Sequence, residues 1–257
     1  MRLKTKRRLV QVLSFLIANL GLIQNLKTGL VCPFLYCHGC PFAILGCPIG
    51  LLQNFIAWRR LPLLTIGSLG VYGTLAGRAF CGWLCPFGAL HDLLSRGRGG
   101  PSKPLHHAAG YIRYVVLIAA VLTAWVTLDP AFCRLCPSGS LFGAIPFHIL
   151  HLGSVRLGPA FYVHLLTLLA TLLLALAVSR FWCRYLCPLG AIYGPFNRIS
   201  LIGIRLDPEK CVGCMACLRA CPMGVSRLEG IGRSANCILC GRCVEACPEG
   251  ALSFRTG

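Results

Sequence analysis

Acidic side chains are nearly missing from this chain: Asp and Glu total 7 against 25 Lys and Arg, a formal net charge of +18 over 257 residues. Charged residues of both signs make up only 12%, while 56% are hydrophobic and the mean hydropathy is +0.72. So few charges on so apolar a chain exclude an ordinary water-soluble globular protein and leave a polytopic membrane protein. The surplus of positive charge does not call for nucleic acid. Lys and Arg sit mainly beside apolar segments, which is what orientation by the positive-inside rule produces.

Arg2, Lys4, Lys6, Arg7 and Arg8 precede an apolar run from about Leu9 to Leu30 that no small-x-small cleavage site follows, so it reads as a retained first helix with its N-terminus inside. Leu61 to Phe80, Ile112 to Leu128 and Phe161 to Val178 complete a prediction of four spans with both termini cytoplasmic, in the inner membrane of a cell. Arg96, Arg98, Lys103 and Arg113 mark the connection after the second span as cytoplasmic, whereas Arg134 and Arg156 alone precede the fourth. Pro41 to Trp58 is apolar, but a fifth span there would invert everything downstream. It is expected to be an interfacial or re-entrant helix on the outer side, with Arg59 and Arg60 at its snorkelling end.

Eighteen cysteines are far more than packing requires. Eight fall in two successive C-x2-C-x2-C-x3-C-P runs, Cys211, Cys214, Cys217, Cys221-Pro222 and Cys237, Cys240, Cys243, Cys247-Pro248. That spacing is the one used for two [4Fe-4S] clusters with crossed ligation, the fourth cysteine of each run serving the other run's cluster. One cluster would take Cys211, Cys214, Cys217 and Cys247, the other Cys237, Cys240, Cys243 and Cys221. A zinc site would use four ligands and leave the third cysteine and the proline of each run unexplained. Thiolate ligands place this part in a reducing cytoplasm. Between Arg205 and Gly257 it carries seven basic and five acidic residues, a balance suited to an acidic partner or an anionic membrane surface.

A repeat lies upstream. Arg78 to Leu90 and Arg180 to Ile192 align over 13 positions with 7 identities, including Cys81, Cys85-Pro86 and Cys183, Cys187-Pro188. On the other side Cys37, Cys40-Pro41 and Cys133, Cys136-Pro137 each follow an odd-numbered span. The unit is helix, outer C-x2-C-P, helix, inner C-x3-C-P, used twice in parallel, so equivalent pairs are expected to meet across an axis along the membrane normal. Cys81, Cys85, Cys183 and Cys187 would then hold an inner intramembrane cluster. The same argument gives an outer cluster on Cys37, Cys40, Cys133 and Cys136, with a disulfide-cycling pair as the alternative. Cys32 and Cys47, each followed by proline, occur only in the first half and could bridge, replace a ligand or cap a site. With centres at both faces, a gap remains that a bound quinone could fill.

The predicted architecture is an α-helical membrane domain over residues 1–204, with repeats at about 1–110 and 111–204, followed by a small α+β two-cluster ferredoxin domain over 205–257. Paired Cys-x3-Cys-Pro motifs ahead of such a module resemble the NapH-type family, the membrane iron–sulfur proteins of periplasmic nitrate reductase and methylamine systems, over about residues 61–257. The resemblance implies electron transfer between the quinol pool, or an outer donor, and a partner redox protein, carried on Cys81, Cys85, Cys183, Cys187 and the eight ferredoxin cysteines. The cysteine-rich stretch Cys32 to Cys47 departs from the family pattern. A metal-reducing maturation factor and a transmembrane thiol–disulfide carrier are the competing functions. No catalytic constellation competes: His164 reads as a packed histidine, His148 and His151 as outer-surface groups, Trp83, Trp125 and Trp182 as interface anchors, and Asp129 as a helix-end charge.

Overall fold

The computed structural model describes residues 3–22, 28–37, 39–95, 108–151 and 158–256. Arg96, Arg98, Lys103, Arg156 and the chain from 23 to 27 lie outside the described residues. Helix α1 (Leu3–Ala18) runs away from the C-terminal module and stops at Ala18, well before the expected Leu30. The reason is local. The Gly21 amide bonds to the Phe42 carbonyl at 2.9 Å and the Ile44 amide to the Ala18 carbonyl at 3.3 Å, so the following loop takes over the helix end. At Gly21 the backbones meet so closely that a Cβ would stand 2.4 Å from the Phe42 oxygen.

That loop dips into the protein, burying Cys32, Phe34, Leu35 and Tyr36, before α2 (Pro48–Ala57) climbs back out. The segment is thus built into the bundle: α2 packs against α3 (Leu63–Ala76) and α6 (Ile112–Thr127) with Ile49, Gly50, Gln53 and Ala57 buried. Arg59 beyond its end lies over the Trp125 ring at 4.0 Å, a cation–π contact. Short helices α4 (Ala79–Trp83) and α5 (Pro86–Leu94) carry the first repeated motif. After α6 come α7 (Ala131–Leu135), α8 (Pro137–Gly139), a π-helical turn (Ser140–Ala144) and α9 (Ile145–Leu150), an inward-starting helical stretch that hydropathy alone did not reveal. Helices α10 (Pro159–Ala177), α11 (Phe181–Tyr185) and α12 (Pro188–Phe196) repeat the α3–α4–α5 arrangement.

Among the described residues two helices, Ala109–Thr127 and Pro159–Ala177, are long and apolar enough to cross a membrane. At 1.5 Å per residue, α1 and α3 reach only about 24 and 21 Å, against a hydrocarbon core of about 30 Å. All four turn apolar side chains outward, among them Leu13, Leu64, Val115, Val126, Leu166 and Leu173. The module that follows is closed by β1 (Ile202–Leu206) paired antiparallel with β2 (Leu252–Thr256), in register Ile204 to Phe254, around α13 (Ala216–Arg219) and α14 (Arg242–Ala246).

One carboxylate ties these parts together. Asp92 on α5 accepts from Arg7 of α1 at 2.8 Å, from Arg180 ahead of α11 at 2.6 and 2.9 Å, and from Arg242 of α14 at 3.0 Å. Burial alone would raise the Asp92 pKa, but Arg180, Arg242 and Arg7 outweigh it and hold the carboxyl well below the usual range. Asp92→Ala leaves three guanidinium groups without their counter-ion and should cost about 3–5 kcal/mol; a thermal melt in detergent that matches the wild type would refute this role.

Candidate iron–sulfur sites

Cysteine-proline at a helix start recurs four times here, always as Cys-Pro-x-Gly: Cys47 to Gly50, Cys85 to Gly88, Cys136 to Gly139 and Cys187 to Gly190. Each cysteine is the extended N-cap residue and its proline opens the helix, where no backbone donor is lost. The glycine amide one turn on points back at the sulfur, at 3.4 Å for both Cys85 and Cys187. Cys47 and Cys136 take the same N-cap position without that bond. Burial pushes the Cys85 and Cys187 thiols up, and the glycine amide works against it by favouring the thiolate.

At the end facing the C-terminal module the two repeated motifs meet. Cys85 lies within Coulombic range of Cys81 and Cys183, and Cys187 of Cys183 and Cys81. Two arginines lock the pair reciprocally. Arg78 donates to the Cys183 carbonyl at 3.1 Å, and Arg180 to the Cys81 carbonyl at 3.0 Å, as halves related by a pseudo-two-fold axis would. Both guanidinium groups are fully buried and pass beside the motif glycines of the opposite half, Gly190 and Gly88. Arg180 does this with φ +51, a left-handed conformation unusual for a residue with a side chain, which its bonds to Asp92 and Cys81 hold in place.

The C-terminal module contains two small cavities. One is lined by Cys211, Cys214, Cys217 and Cys247, the other by Cys221, Cys237, Cys240 and Cys243 with Cys217 between them. Three cysteines of each run thus stand with the fourth of the other. Cys243 is within range of Cys240, Cys237 and Cys221, and Cys217 of Cys247 and Cys211. Burial pushes the Cys237 thiol up to about 12, and Cys221 upward too, so these sulfurs keep their protons at neutral pH unless a metal takes the proton's place. Among the described residues no three His, Cys, Asp or Glu side chains converge on one ion.

Module and bundle touch through the sites themselves. Gly82, between Cys81 and Cys85, lies against the Ile238 carbonyl and the Cys240 Cβ. Trp83 Nε1 donates to the Leu239 carbonyl at 2.9 Å, Arg78 to that of Ala235 at 2.6 Å, and the buried Asn197 to those of Ser234 and Cys237 at 2.8 and 2.6 Å. Trp83 is therefore a docking residue and Trp182, 5% exposed beside Cys183, a core residue; of the three expected anchors only Trp125 faces outward. His164 has a mate that sequence did not suggest, the Ser140 hydroxyl 3.1 Å from Nδ1. His148 and His151 contact their own helical turn and neighbouring aromatic rings. Asp129 pairs with Arg134 at 2.6 Å.

Comparison with known proteins gives this arrangement its context. A family described as 4Fe-4S binding domain matches residues 47–64, 60–104, 109–146 and 160–206, each segment carrying one Cys-Pro-x-Gly, and a 4Fe-4S dicluster domain matches 203–248. An uncharacterized protein of Methanocaldococcus jannaschii is 33% identical over 71% of this chain and 68% of its own length. The ferredoxin-type protein NapH of Haemophilus influenzae is 32% identical over 65% of this chain and 57% of that protein. The chain belongs to the NapH-type family. The methylamine utilization ferredoxin-type protein MauN of Paracoccus denitrificans, another relative of this NapH-type chain, is 30% identical over 68% of it and 60% of its own length. No solved structure matches the chain.

The contact at Gly82 makes a direct prediction. A Cβ there would stand 2.3 Å from the Ile238 oxygen, so Gly82→Ala should push the module off the bundle and speed tryptic cleavage at Arg198 or Arg205 several-fold. Unchanged cleavage would mean that the two parts are not held by this face.

Proposed function

We propose that this NapH-type protein is a membrane-bound electron-transfer protein that passes electrons one at a time between a quinol or outer donor and a partner redox protein. The observation that carries the reading is the pair of cavities in the C-terminal module, each lined by three cysteines of one run and the fourth of the other, with Cys240 of the second packed against Gly82 between the inner Cys81 and Cys85. Cys211, Cys214, Cys217 and Cys247 would hold one [4Fe-4S] cluster, Cys237, Cys240, Cys243 and Cys221 a second, and Cys81, Cys85, Cys183 and Cys187 a third. A [4Fe-4S] group bound in this way takes up and gives back single electrons at a potential set by charge, hydrogen bonds and exposure.

The protein's own residues do the rest. Amide hydrogens from Gly88 and Gly190 stabilise the inner sulfurs. Arg78 and Arg180 place positive charge beside them, and Asp92 offsets only the second. The exposed Cys214 marks the face of the module open to a partner, while Cys240, against Gly82, faces the bundle. A groove between α1, α5 and α14 has an apolar wall of Val12, Phe15 and Leu93 and a polar end of Arg7, Gln11 and Asp92. It is the site we assign to a quinone or quinol headgroup.

In the membrane, α1, α3, α6 and α10 would traverse with both chain ends cytoplasmic. The apolar outward faces support this, and the shortness of α1 and α3 is made up by the re-entrant loop and α2 beside them. A reporter fused after Gly257 should report cytoplasm and one after Arg60 the outside; a cytoplasmic signal at Arg60 would overturn the orientation. For the clusters, Cys221→Ser in anaerobically purified protein should weaken the EPR signal of the Cys237 run and spare that of the Cys211 run. The reverse pattern would reject crossed ligation.

A further inference from the structure

The bundle brings a second set of four cysteines together, and it is not the set that the C-x2-C spacing selects. Cys133 lies within Coulombic range of Cys47 and Cys37, and Cys136 of Cys47, Cys133 and Cys37. Cys37 in turn is in range of Cys47. The Cys40 sulfur lies 3.7 Å from the Tyr36 hydroxyl, which donates to Asn19 Oδ1 at 2.6 Å. Cys32 donates to the Phe34 carbonyl at 3.0 Å, the behaviour of a thiol that keeps its proton. The geometry points to an intramembrane [4Fe-4S] site held by Cys37, Cys47, Cys133 and Cys136, with Cys47 in the place that spacing gives to Cys40.

Three features of the fold support the substitution. Cys47 and Cys136 are the two Cys-Pro-x-Gly helix caps of this end of the bundle, standing as Cys85 and Cys187 stand at the other. The Cys133 sulfur accepts from the fully buried Gln53 Nε2 at 3.7 Å. Finally, the π-helical turn Ser140–Ala144 carries Gly139 and Gly143 past the Cys37 sulfur, and a Cβ on Gly143 would stand 2.6 Å from it. π-helical turns gather at functional sites because they re-aim one helix face, and here that face is bare backbone against a sulfur.

The site also lies deeper than the end of the bundle. Cys32 is in Coulombic range of both Cys47 and Cys85. The rings of Phe132 and Trp182, each next to a ligand cysteine of one set, are 6.3 Å apart. Packed side chains thus link the two sets.

This inference adds a site to the function proposed above and takes from it only the kind of group bound. In full-length protein purified anaerobically, Cys47→Ser should lose about four irons and four labile sulfides, one cube's worth, with the EPR signals of the C-terminal module unchanged. The double variant Cys32→Ser/Cys40→Ser should keep its full complement. Loss of iron from the double variant, or full iron in Cys47→Ser, would overturn the assignment. An absence of the module's own signals in wild-type protein would instead strike the proposed function.

Discussion

A sulfur at the positive end of a short helix is the arrangement on which this protein depends. Proline fixes the first turn, the cysteine before it is left extended, and the glycine one turn later lets its amide and the neighbouring backbone come close. A charged sulfur in an apolar bundle is costly unless hydrogen bonds and opposite charge surround it. At Cys85 and Cys187 a backbone amide, which adds no net charge of its own, answers that cost.

Opposite charge then decides how the parts assemble. Outside the C-terminal module the chain has two acidic residues, and Asp92 is the buried one. Three arginines from α1, from the start of α11 and from α14 converge on it, so N-terminus, bundle and module are joined by a single counter-ion. The crossing of Arg78 and Arg180 onto each other's half fixes the two-fold geometry of the inner cysteines. Arg78 has no acidic partner among the described residues, so its charge acts on the sulfurs of the opposite half instead.

What could be read in advance follows from where the information sits. The eight ferredoxin cysteines and the repeated inner pairs are local motifs, and their spacing states which residues converge. The first helix ends at Ala18 because a loop some twenty residues downstream claims its backbone, a partner that no local pattern announces. C-x2-C spacing pairs Cys40 with Cys37, whereas Cys-Pro-x-Gly, which opens four helices of the bundle and recurs at Cys221 and Cys247, is shared by Cys47 and not by Cys40. Asp92 carried no local signal, since its partners are 85, 88 and 150 positions away. Trp83 and Trp182 sit near span ends, as membrane anchors do, but the C-terminal module and the opposing half cover them.

The central claim is that one chain holds a continuous series of iron–sulfur sites from the exposed module into the bundle. Chemical analysis of iron and acid-labile sulfide in the anaerobically purified full-length protein tests it most directly. The account predicts about sixteen of each per chain, four for every [4Fe-4S] site; a value of about eight, all of it surviving in a double variant Cys81→Ser/Cys183→Ser, would confine the clusters to the C-terminal module and contradict the account.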